Sequence, residues 1–286
     1  MSGRLEIVRT VAALRERVMG WRRSGETVGF VPTMGFLHDG HMSLVRNSRA
    51  QNDRTVVSIF VNPRQFNNAS DLEAYPRDEA RDAALLDENG ADLLFAPDVT
   101  EMYPQGFATT VEVAGITDCL CGATRPGHFG GVAVVVTKLL LQCLPDRAYF
   151  GRKDFQQLMV VRRMVRDLDI PVEIRGIDTV RESDGLAMSS RNWYLTEQQR
   201  GVAPAIFRIL TDIAETASSD GDVSGAISRG RKRLSDLGFG TIDYLEVRDA
   251  ETLELVSRPK RPARAFAAVF LGKARLIDNV PVDPVA

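Results

Sequence analysis

The sequence predicts an α/β protein with a doubly wound parallel sheet, followed by a smaller α+β domain. Three observations support this prediction. Strand-like and helix-like segments alternate through residues 1–178. Several of the strand-like segments are nearly continuous apolar runs, as in parallel strands covered on both faces. The pattern changes after residue 178, so we expect a first domain over residues 1–178 and a second over residues 179–286.

The alternation in the first domain defines five strands and five helices. The strand candidates are Val28–Val31, Val56–Val61, Ala91–Ala96, Ala148–Gly151 and Val172–Ile177. The helix candidates are Val11–Arg22, His41–Gln51, Asp78–Asn89, Val132–Cys143 and Phe155–Leu168. Thr10 is a suitable N-cap for the first of these helices. In such a sheet, ligands lie at the carboxyl ends of the strands, near the point where the strand order reverses.

The second domain begins with helices and ends with strands. Thr196, with Gln199 three residues later, is a capping box that predicts a helix running towards Ala217. A polar loop over residues 217–222 follows. The remaining candidates are a helix over Val223–Leu237 and strands over Ile242–Val247 and Ala265–Leu271.

Composition excludes several classes of protein. The chain has 286 residues, is 44% hydrophobic and 26% charged, and carries a net charge of −2. That charge gives no general attraction to nucleic acid or to anionic membranes. We find no apolar run long enough to span a bilayer and no signal peptide in the first residues. Three cysteines are too few for a disulfide scaffold, so we expect a reduced, cytoplasmic setting.

The most informative motif contains two of the three histidines. His38 and His41 form an H-x-G-H motif after an apolar strand and a Gly-containing turn, and a helix follows. A helix N-terminus attracts phosphate, and two imidazoles there add hydrogen-bond donors. The motif therefore predicts a site for a nucleoside triphosphate that is attacked at its α-phosphate. The alternative is a turn with two surface histidines, because zinc needs further ligands.

Two further strands end in polar residues. Asn62 and Gln65 follow the second strand, where their amides are placed to orient a small polar substrate, unless this is an ordinary exit from a strand. Lys153 and Asp154 follow the fourth strand. They offer an ammonium group for phosphate or carboxylate and a carboxylate for Mg²⁺. Alternatively, Asp154 is only an N-cap and Lys153 is solvated.

Three other segments have both functional and structural interpretations. The loop Asp184–Asn192 offers two hydroxyls and a guanidinium that would close over a triphosphate; otherwise it is a linker. Arg125 and His128 either lie beside the site at a helix N-terminus or belong to a simple turn. Cys119 and Cys121, with His128, do not form a complete ligand set for structural zinc.

Together these segments resemble one family, the pantothenate synthetases (pantoate–β-alanine ligases), over almost the whole chain. The resemblance rests on PTMGFLHDGHMSLV, VVSIFVNPRQF, DLEAYPRD, TRPGHFGGV, GRKDFQQL, DGLAMSSRNWYL and RLIDN, in that order. The H-x-G-H motif alone is shared with the nucleotidylyltransferases and the class I aminoacyl-tRNA synthetases. The NPxQF, KDxQQ and MSSRN segments narrow the resemblance to this family.

The resemblance implies a Rossmann-like first domain, a smaller C-terminal lid domain and a homodimer. It implies an ATP-dependent ligation in two steps. Pantoate attacks the α-phosphorus of ATP to give pantoyl adenylate and pyrophosphate, and β-alanine then attacks the adenylate to give pantothenate and AMP. Mg²⁺ would sit on the ATP phosphates, with unknown protein ligands. Pantoate, β-alanine and ATP would be the partners, without nucleic acid or membrane.

The resemblance also implies roles for individual residues. The catalytic residues would be His38, His41, Lys153, Ser189, Ser190 and Arg191. The pantoate-binding residues would be Gln65, Gln157 and Asn62. The ATP-binding residues would be Pro32, Thr33, Met34, Gly151, Asp154, Val180 and Met188. Arg125, His128 and Asp82 are secondary candidates.

Three positions depart from the family's usual pattern. Arg64 replaces Met, Arg152 replaces Glu, and Cys121 replaces a Glu. Such changes either strengthen anion binding or disturb a supporting ion pair. We expect activity to survive, because the other motif residues remain. Two rival hypotheses are a nucleotidylyltransferase that transfers AMP to a phosphate acceptor and a nucleotide-binding module that does not turn ATP over.

Overall fold

The computed structural model describes residues 5–219 and 222–285, so Asp220 and Gly221 of the predicted polar loop lie outside the described residues. Contacts divide the chain into two compact units. The first comprises the residues up to 117, 125–152 and 156–178, and the second comprises 118–124, 153–155 and the residues from 179 onwards. Two short segments from before residue 178, one of which carries Lys153, therefore belong to the second unit.

The first unit contains a six-stranded parallel sheet in the order β1-β4-β3-β2-β5-β6, which confirms the doubly wound α/β prediction. Its strands are β1 (Glu6–Val8), β2 (Val28–Thr33), β3 (Arg54–Ile59), β4 (Leu93–Phe95), β5 (Arg147–Gly151) and β6 (Glu173–Ile177). The helices between them are α1 (Val11–Arg23), α2 (Asp39–Gln51), α3 (Ala69–Glu73), α4 (Glu79–Glu88), α5 (Val99–Met102), α7 (His128–Cys143) and α8 (Phe155–Asp167). The short helix α6 (Leu120–Thr124) belongs to the second unit.

Strand β2 lies beside the point where the strand order reverses. Strands β3, β4 and β1 lie on one side of it, and β5 and β6 lie on the other. Gly29 pairs with Thr55 of β3 and with Arg147 of β5. Thr33 and Gly151 therefore end neighbouring parallel strands at the same edge of the sheet. This is the edge at which ligands bind in doubly wound folds.

Apolar residues of the central strands pack against α2. In α2, Met42 and Val45 are three residues apart and fully buried, as expected for one face of an amphipathic helix. Their partners in the core include Val31, Val57, Leu94 and Tyr149. Burying each such side chain contributes roughly 1.5–3 kcal/mol. This packing fixes the start of α2 relative to the end of β2.

The second unit contains a three-stranded antiparallel sheet, which confirms the smaller α+β domain. Its strands, in the order β7-β8-β9, are β7 (Ile242–Asp249), β8 (Ala263–Leu271) and β9 (Ala274–Val282). Its longer helices are α9 (Glu197–Val202), α10 (Ala205–Ser219) and α11 (Val223–Asp236). The buried face of α10 carries Ile206, Ile209 and Ile213 at helical spacing and packs on β8 and β9.

The structure corrects several predicted boundaries. The helix predicted from Thr196 to Ala217 is two helices, because Pro204 has no N–H for a continuous ladder. The capping box of Thr196 and Gln199 is confirmed. Helix α2 begins two residues before His41 and α7 begins at His128, four residues before the predicted Val132. Strands β1 and β9 were not predicted.

Candidate active site

The H-x-G-H motif forms a reciprocal cap at the N-terminus of α2. Nδ1 of His38, the N-cap, accepts a hydrogen bond from the N–H of Gly40 at 3.1 Å. Nδ1 of His41 accepts one from the N–H of His38 at 3.3 Å. The ring centroids of the two imidazoles are 4.1 Å apart. Two of the N–H groups left unpaired by helix geometry are thus satisfied by the imidazoles.

These hydrogen bonds also determine which tautomer each imidazole adopts. An N–H group can only donate, so the Nδ1 atoms of His38 and His41 must both be unprotonated. Each neutral ring therefore carries its proton on Nε2. Two Nε2–H donors at the positive end of a helix are suited to the oxygens of a phosphate. The hydrogen bonds of the cap therefore select the Nε2–H tautomer of both histidines, which the sequence alone leaves open.

Asp82 holds the turn that precedes the motif. Its carboxylate is 1% exposed and accepts hydrogen bonds from the N–H of Phe36 at 2.6 Å and of Leu37 at 2.8 Å. Arg81 donates to the carbonyl of Leu37 at 3.1 Å. Gly35 has φ +83°, and a Cβ there would lie 3.1 Å from Asp82 Oδ2. Burial raises the pKa of Asp82 despite the two N–H donors. Asp82 is therefore the anchor of the turn.

Asn62 is a support for Gln65. It is 1% exposed, and its Oδ1 accepts hydrogen bonds from the hydroxyl of Tyr103 at 2.8 Å and the N–H of Arg64 at 3.2 Å. Its Nδ2 donates to Gln65 Oε1 at 3.0 Å and to the carbonyl of Gly131 at 3.1 Å. Burial raises the pKa of Tyr103 to about 12, so the phenol stays protonated and donates. No motif in the sequence indicated Tyr103.

Gln65 is held at its backbone as well as at its side chain. His128 Nδ1 lies 2.8 Å from the carbonyl of Gln65, and Arg125 donates to the same oxygen at 3.2 Å. Since a carbonyl only accepts, His128 carries its proton on Nδ1, and its Nε2 is left to accept from Arg125 at 3.2 Å. Gln65 Nε2 lies 3.0 Å from the sulfur of Met34. The secondary candidates Arg125 and His128 therefore orient Gln65.

The close contact between α7 and the turn that carries Gln65 leads to a testable prediction. A Cβ on Gly131 would lie 2.2 Å from the carbonyl oxygen of Arg64 and 2.8 Å from the Cα of Gln65. We expect Gly131→Ala to displace this turn and to raise the KM for pantoate by about 10-fold or more. Gly130→Ala is the matched control, because its nearest atom is 4.0 Å away. Steady-state kinetics of both variants test this, and equal KM values would contradict it.

Other predicted residues of the first unit lie at the same sheet edge. Pro32 and Thr33 end β2, and the Thr33 hydroxyl donates to the carbonyl of Ser58 at 2.8 Å. Gly151 ends the neighbouring strand β5. Gln157 is half-buried in the first turn of α8. A cavity of about 330 Å³ at this edge is lined by Met34, Gly35, Phe60, Asp82 and Asp98, among others.

Lys153 and Asp154 belong to the second unit. The Lys153 side chain is 15% exposed, and its Nζ lies 3.9 Å from Asp154 Oδ2. The carbonyl of Lys153 accepts a hydrogen bond from Asn279 Nδ2 at 2.9 Å. Lys153, Ser189 and Asn192 line one small cavity of this unit. The sequence interpretation missed Asn279, although the RLIDN segment that contains it was part of the resemblance.

The loop Asp184–Asn192 is part of a folded turn, so the linker alternative is wrong. The N–H of Met188 donates to the carbonyl of Val180 at 3.0 Å, and Arg181 forms a β-bridge with Ala187. Arg200 bonds to Asp184 at 2.6 Å. Ser189 caps a 3-10 turn over Ser190–Tyr194 by accepting from the N–H of Arg191 at 3.2 Å.

The three departures from the family pattern all have partners within their own units. Arg64 stacks on the rings of Tyr103 and Phe107, each 5.3 Å away. Arg152 pairs with Asp178 at 2.7 Å. Cys121 Sγ lies 3.1 Å from the hydroxyl of Tyr244 and 3.5 Å from Arg275, which itself pairs with Asp243 at 2.7 Å.

These contacts predict a small effect of restoring the usual residue at position 64. Arg64 is exposed, and changes of exposed side chains alter free energies by about 0.5 kcal/mol. We expect Arg64→Met to leave kcat/KM for ATP within about 3-fold of the native chain, since 1.4 kcal/mol corresponds to tenfold. A steady-state ATP titration checks this expectation. A tenfold gain or loss would show that the Arg64 charge acts on the nucleotide.

Several further findings concern residues 5–219 and 222–285. Within this part of the chain, His, Cys, Asp and Glu side chains form no group of three or more that would suit a metal ion. The three cysteines are not bonded to one another. None of the helices described is long and apolar enough to cross a membrane.

The parallel sheet, its switch point and the capped histidine pair together define a nucleotide-binding α/β enzyme. Comparison with known proteins identifies the family: the model of pantoate-β-alanine ligases matches residues 6–281. The chain belongs to the pantoate–β-alanine ligase family. It is an ATP-dependent ligase that joins pantoate to β-alanine.

Full-length relatives and solved structures agree with this assignment. The chain is 56% identical to the pantothenate synthetase of Paramagnetospirillum magneticum, covering 99% of this chain and 100% of the relative. The crystal structure of the pantothenate synthetase of Thermus thermophilus superposes with a TM-score of 0.92 at 51% identity, covering 98% and 100%. The crystal structure of the pantoate-β-alanine ligase of Francisella tularensis, complexed with β-γ ATP and β-alanine, superposes with a TM-score of 0.80 at 33% identity. The match covers 96% of this chain and 97% of that chain.

Proposed function

We propose that His38 and His41 bind the ATP phosphates through their Nε2–H groups and neutralise the charge that develops as pyrophosphate leaves. The observation that carries this proposal is the reciprocal cap, which commits both Nδ1 atoms to the backbone. The donors are therefore preorganised before the substrate arrives, and such donors stabilise a developing charge most effectively. The positive end of α2 acts in the same direction.

The pantoate carboxylate is the nucleophile of the first step. One of its oxygens forms a bond to the α-phosphorus as the bond from that phosphorus to the bridging oxygen breaks, and pyrophosphate leaves with the electron pair. Lys153 bridges the carboxylate and the α-phosphate, and Ser189, Ser190 and Arg191 hold the β- and γ-phosphates. In the second step the β-alanine amine forms the amide, loses a proton and expels AMP. No covalent enzyme intermediate is required.

Gln65 and Gln157 bind the hydroxyl and carboxylate groups of pantoate. Asn62 acts through Gln65, because its own amide is engaged with Tyr103, Gly131, Arg64 and Gln65. This refines the role that the sequence suggested for Asn62. The nucleotide lies along residues that include Pro32, Thr33, Met34, Gly151, Asp154, Val180 and Met188.

Magnesium, assembly and location complete the proposal. Mg²⁺ would bind with the ATP phosphates and would supply positive charge that helps pyrophosphate to leave. The protein is a homodimer and works in the cytoplasm. If Mg²⁺ is required, chelation by EDTA abolishes turnover. If the protein is a homodimer, sedimentation gives a mass twice that of the 31.6 kDa chain. If it works in the cytoplasm, cell fractionation recovers it with the cytosol.

The decisive experiment measures pyrophosphate released from Mg-ATP and pantoate, with and without β-alanine. We expect release close to the enzyme concentration without β-alanine, and continuous release of pyrophosphate and AMP once it is added. Pyrophosphate that appears only with β-alanine present would contradict an adenylate formed in a separate first step. ATP binding without any release would favour the nucleotide-binding module instead.

A further inference from the structure

Strand β9 holds the main chain at Lys153. Asn279 of this strand is 3% exposed, and its Nδ2 donates to the carbonyl of Lys153 at 2.9 Å. Both residues belong to the second unit. The two residues are 126 positions apart in the sequence, so the contact exists only in the folded chain.

The orientation of the Asn279 amide is fixed by a second partner. Arg264 Nε donates to Asn279 Oδ1 at 2.7 Å. A guanidinium only donates and a carbonyl only accepts, so the oxygen must face Arg264 and the nitrogen must face Lys153. Exchanging the amide oxygen and nitrogen would place two donors together at Arg264 and two acceptors together at the carbonyl of Lys153. Asn279 is thus a rigid link between Arg264 of β8 and the carbonyl of Lys153.

The residues after Lys153 are held by the same sheet. The guanidinium of Arg264 lies 4.5 Å from the ring centroid of Phe155. The ring centroids of Phe155 and Phe266 are 5.9 Å apart. The contacts assign residues 153–155 to the second unit, although both neighbouring stretches of chain belong to the first. The position of the lysine is therefore set by β8 and β9.

A buried ion pair fixes β9 beside Asn279. Asp278 is 5% exposed and receives two hydrogen bonds from Arg181, at 2.6 and 2.9 Å. Its Oδ1 also accepts from the N–H of Asn279 at 2.7 Å. Arg181 lies 3.8 Å from the ring centroid of Phe207. Bidentate geometry of this kind restricts both partners.

We propose that Asn279 is a positioning residue for Lys153. By holding the carbonyl of Lys153 it fixes the following peptide plane, and with it the direction in which the lysine side chain leaves the backbone. The ammonium group is thereby directed for the transfer of AMP to the pantoate carboxylate. This inference rests on the proposed role of Lys153. Misplacement of a reacting group by about 1 Å costs roughly 100-fold in rate.

The test uses Asn279→Asp, which is nearly isosteric. The carboxylate keeps an acceptor for Arg264, but its second oxygen faces the carbonyl of Lys153 and repels it. We expect pyrophosphate release in a single turnover with pantoate and Mg-ATP to slow by about 10- to 100-fold. The rate at which preformed pantoyl adenylate reacts with β-alanine should stay unchanged, because the second substrate is not positioned by this contact. A rate within twofold of the native chain would overturn the proposal.

Two further variants distinguish positioning from a general loss of structure. Val280→Ala shortens a buried side chain of the same strand without touching the carbonyl of Lys153, and its first-step rate should stay within about 3-fold of native. In the Lys153→Ala background, Asn279→Asp should have no further effect, because the group it positions is absent. The same slowing in both backgrounds would overturn the inference.

The outcome also separates this inference from the proposed function. If Lys153→Ala releases pyrophosphate at the native rate, the proposed role of Lys153 fails, and the positioning inference fails with it. If Lys153→Ala slows pyrophosphate release and Asn279→Asp releases it at the native rate, only the positioning inference fails. If Lys153→Ala and Asn279→Asp each slow pyrophosphate release, and the double variant is no slower than Lys153→Ala, the results support both the role of Lys153 and the positioning inference.

Discussion

His41→Asn is expected to slow pyrophosphate release from ATP and pantoate by about 100- to 1000-fold while leaving the fold intact. The loss of one preorganised donor at a developing negative charge typically has an effect of this size. The Asn side chain offers an oxygen near the position of the imidazole Nδ1, so the hydrogen bond from the N–H of His38 is retained. It has no atom near the position of Nε2. Single-turnover measurements and thermal unfolding would be made on the same preparation.

His41→Gln is the complementary variant. Its Oε1 can accept from the N–H of His38, as Gln199 at the same helix position accepts from the N–H of Thr196 at 3.0 Å, and its amide nitrogen remains as a donor for phosphate. We therefore expect a faster first step than in His41→Asn, with an unchanged cap and a similar free energy of unfolding. If the two variants are equally slow, or if His41→Asn is as active as the native chain, Nε2 does not act on the phosphates.

The histidine pair was predictable from sequence because its contacts are local. The hydrogen bonds within the cap join residues two and three positions apart, so a motif in the sequence is also a cluster in space. Asn62 is different. Its partners Tyr103 and Gly131 are 41 and 69 positions away, and no local pattern indicates that they meet. The sequence therefore predicts a role for Asn62 but not the residues that hold it.

The sheet shows the same distinction. Buried parallel strands such as β2 and β3 are apolar runs, and these were predicted to within a few residues. Strands β1 and β4 both have three residues, but β4 is buried throughout and lies in an apolar run, whereas only Val8 of β1 is buried, so no apolar run marks β1. Strand β9 was missed because polar residues occupy buried positions along it, including Asp278 and Asn279. Two of their partners, Arg181 and Lys153, are 97 and 126 positions away in the chain.

The second large effect is expected from Asp82→Ala, which removes the anchor of the turn before the histidines. The change leaves the N–H groups of Phe36 and Leu37 without their acceptor in a buried setting. Each such group costs about 1–3 kcal/mol, so we expect the first unit to lose about 2–6 kcal/mol of unfolding free energy. The two tryptophans allow a direct measurement, because Trp21 lies in the first unit and Trp193 in the second. In a Trp193→Phe background, urea unfolding followed by Trp21 fluorescence reports on the first unit.

The same variant tests whether the turn is needed for chemistry as well as for stability. Phe36 has φ +51° and Gly35 has φ +83°, so the turn is held in a conformation that the chain does not favour by itself. Without the carboxylate, the turn relaxes and the imidazole of His38 moves with it. We expect pyrophosphate release to fall by at least about 100-fold even where the protein is fully folded.

Asp78→Ala is the matched control. Asp78 is the N-cap of the same helix α4, and its side chain accepts a hydrogen bond from the N–H of Arg81, which is not part of the turn before the histidines. It should lower stability by about 1 kcal/mol and leave the rate nearly unchanged. Equal rates in the two variants would mean that the histidines keep their positions without Asp82.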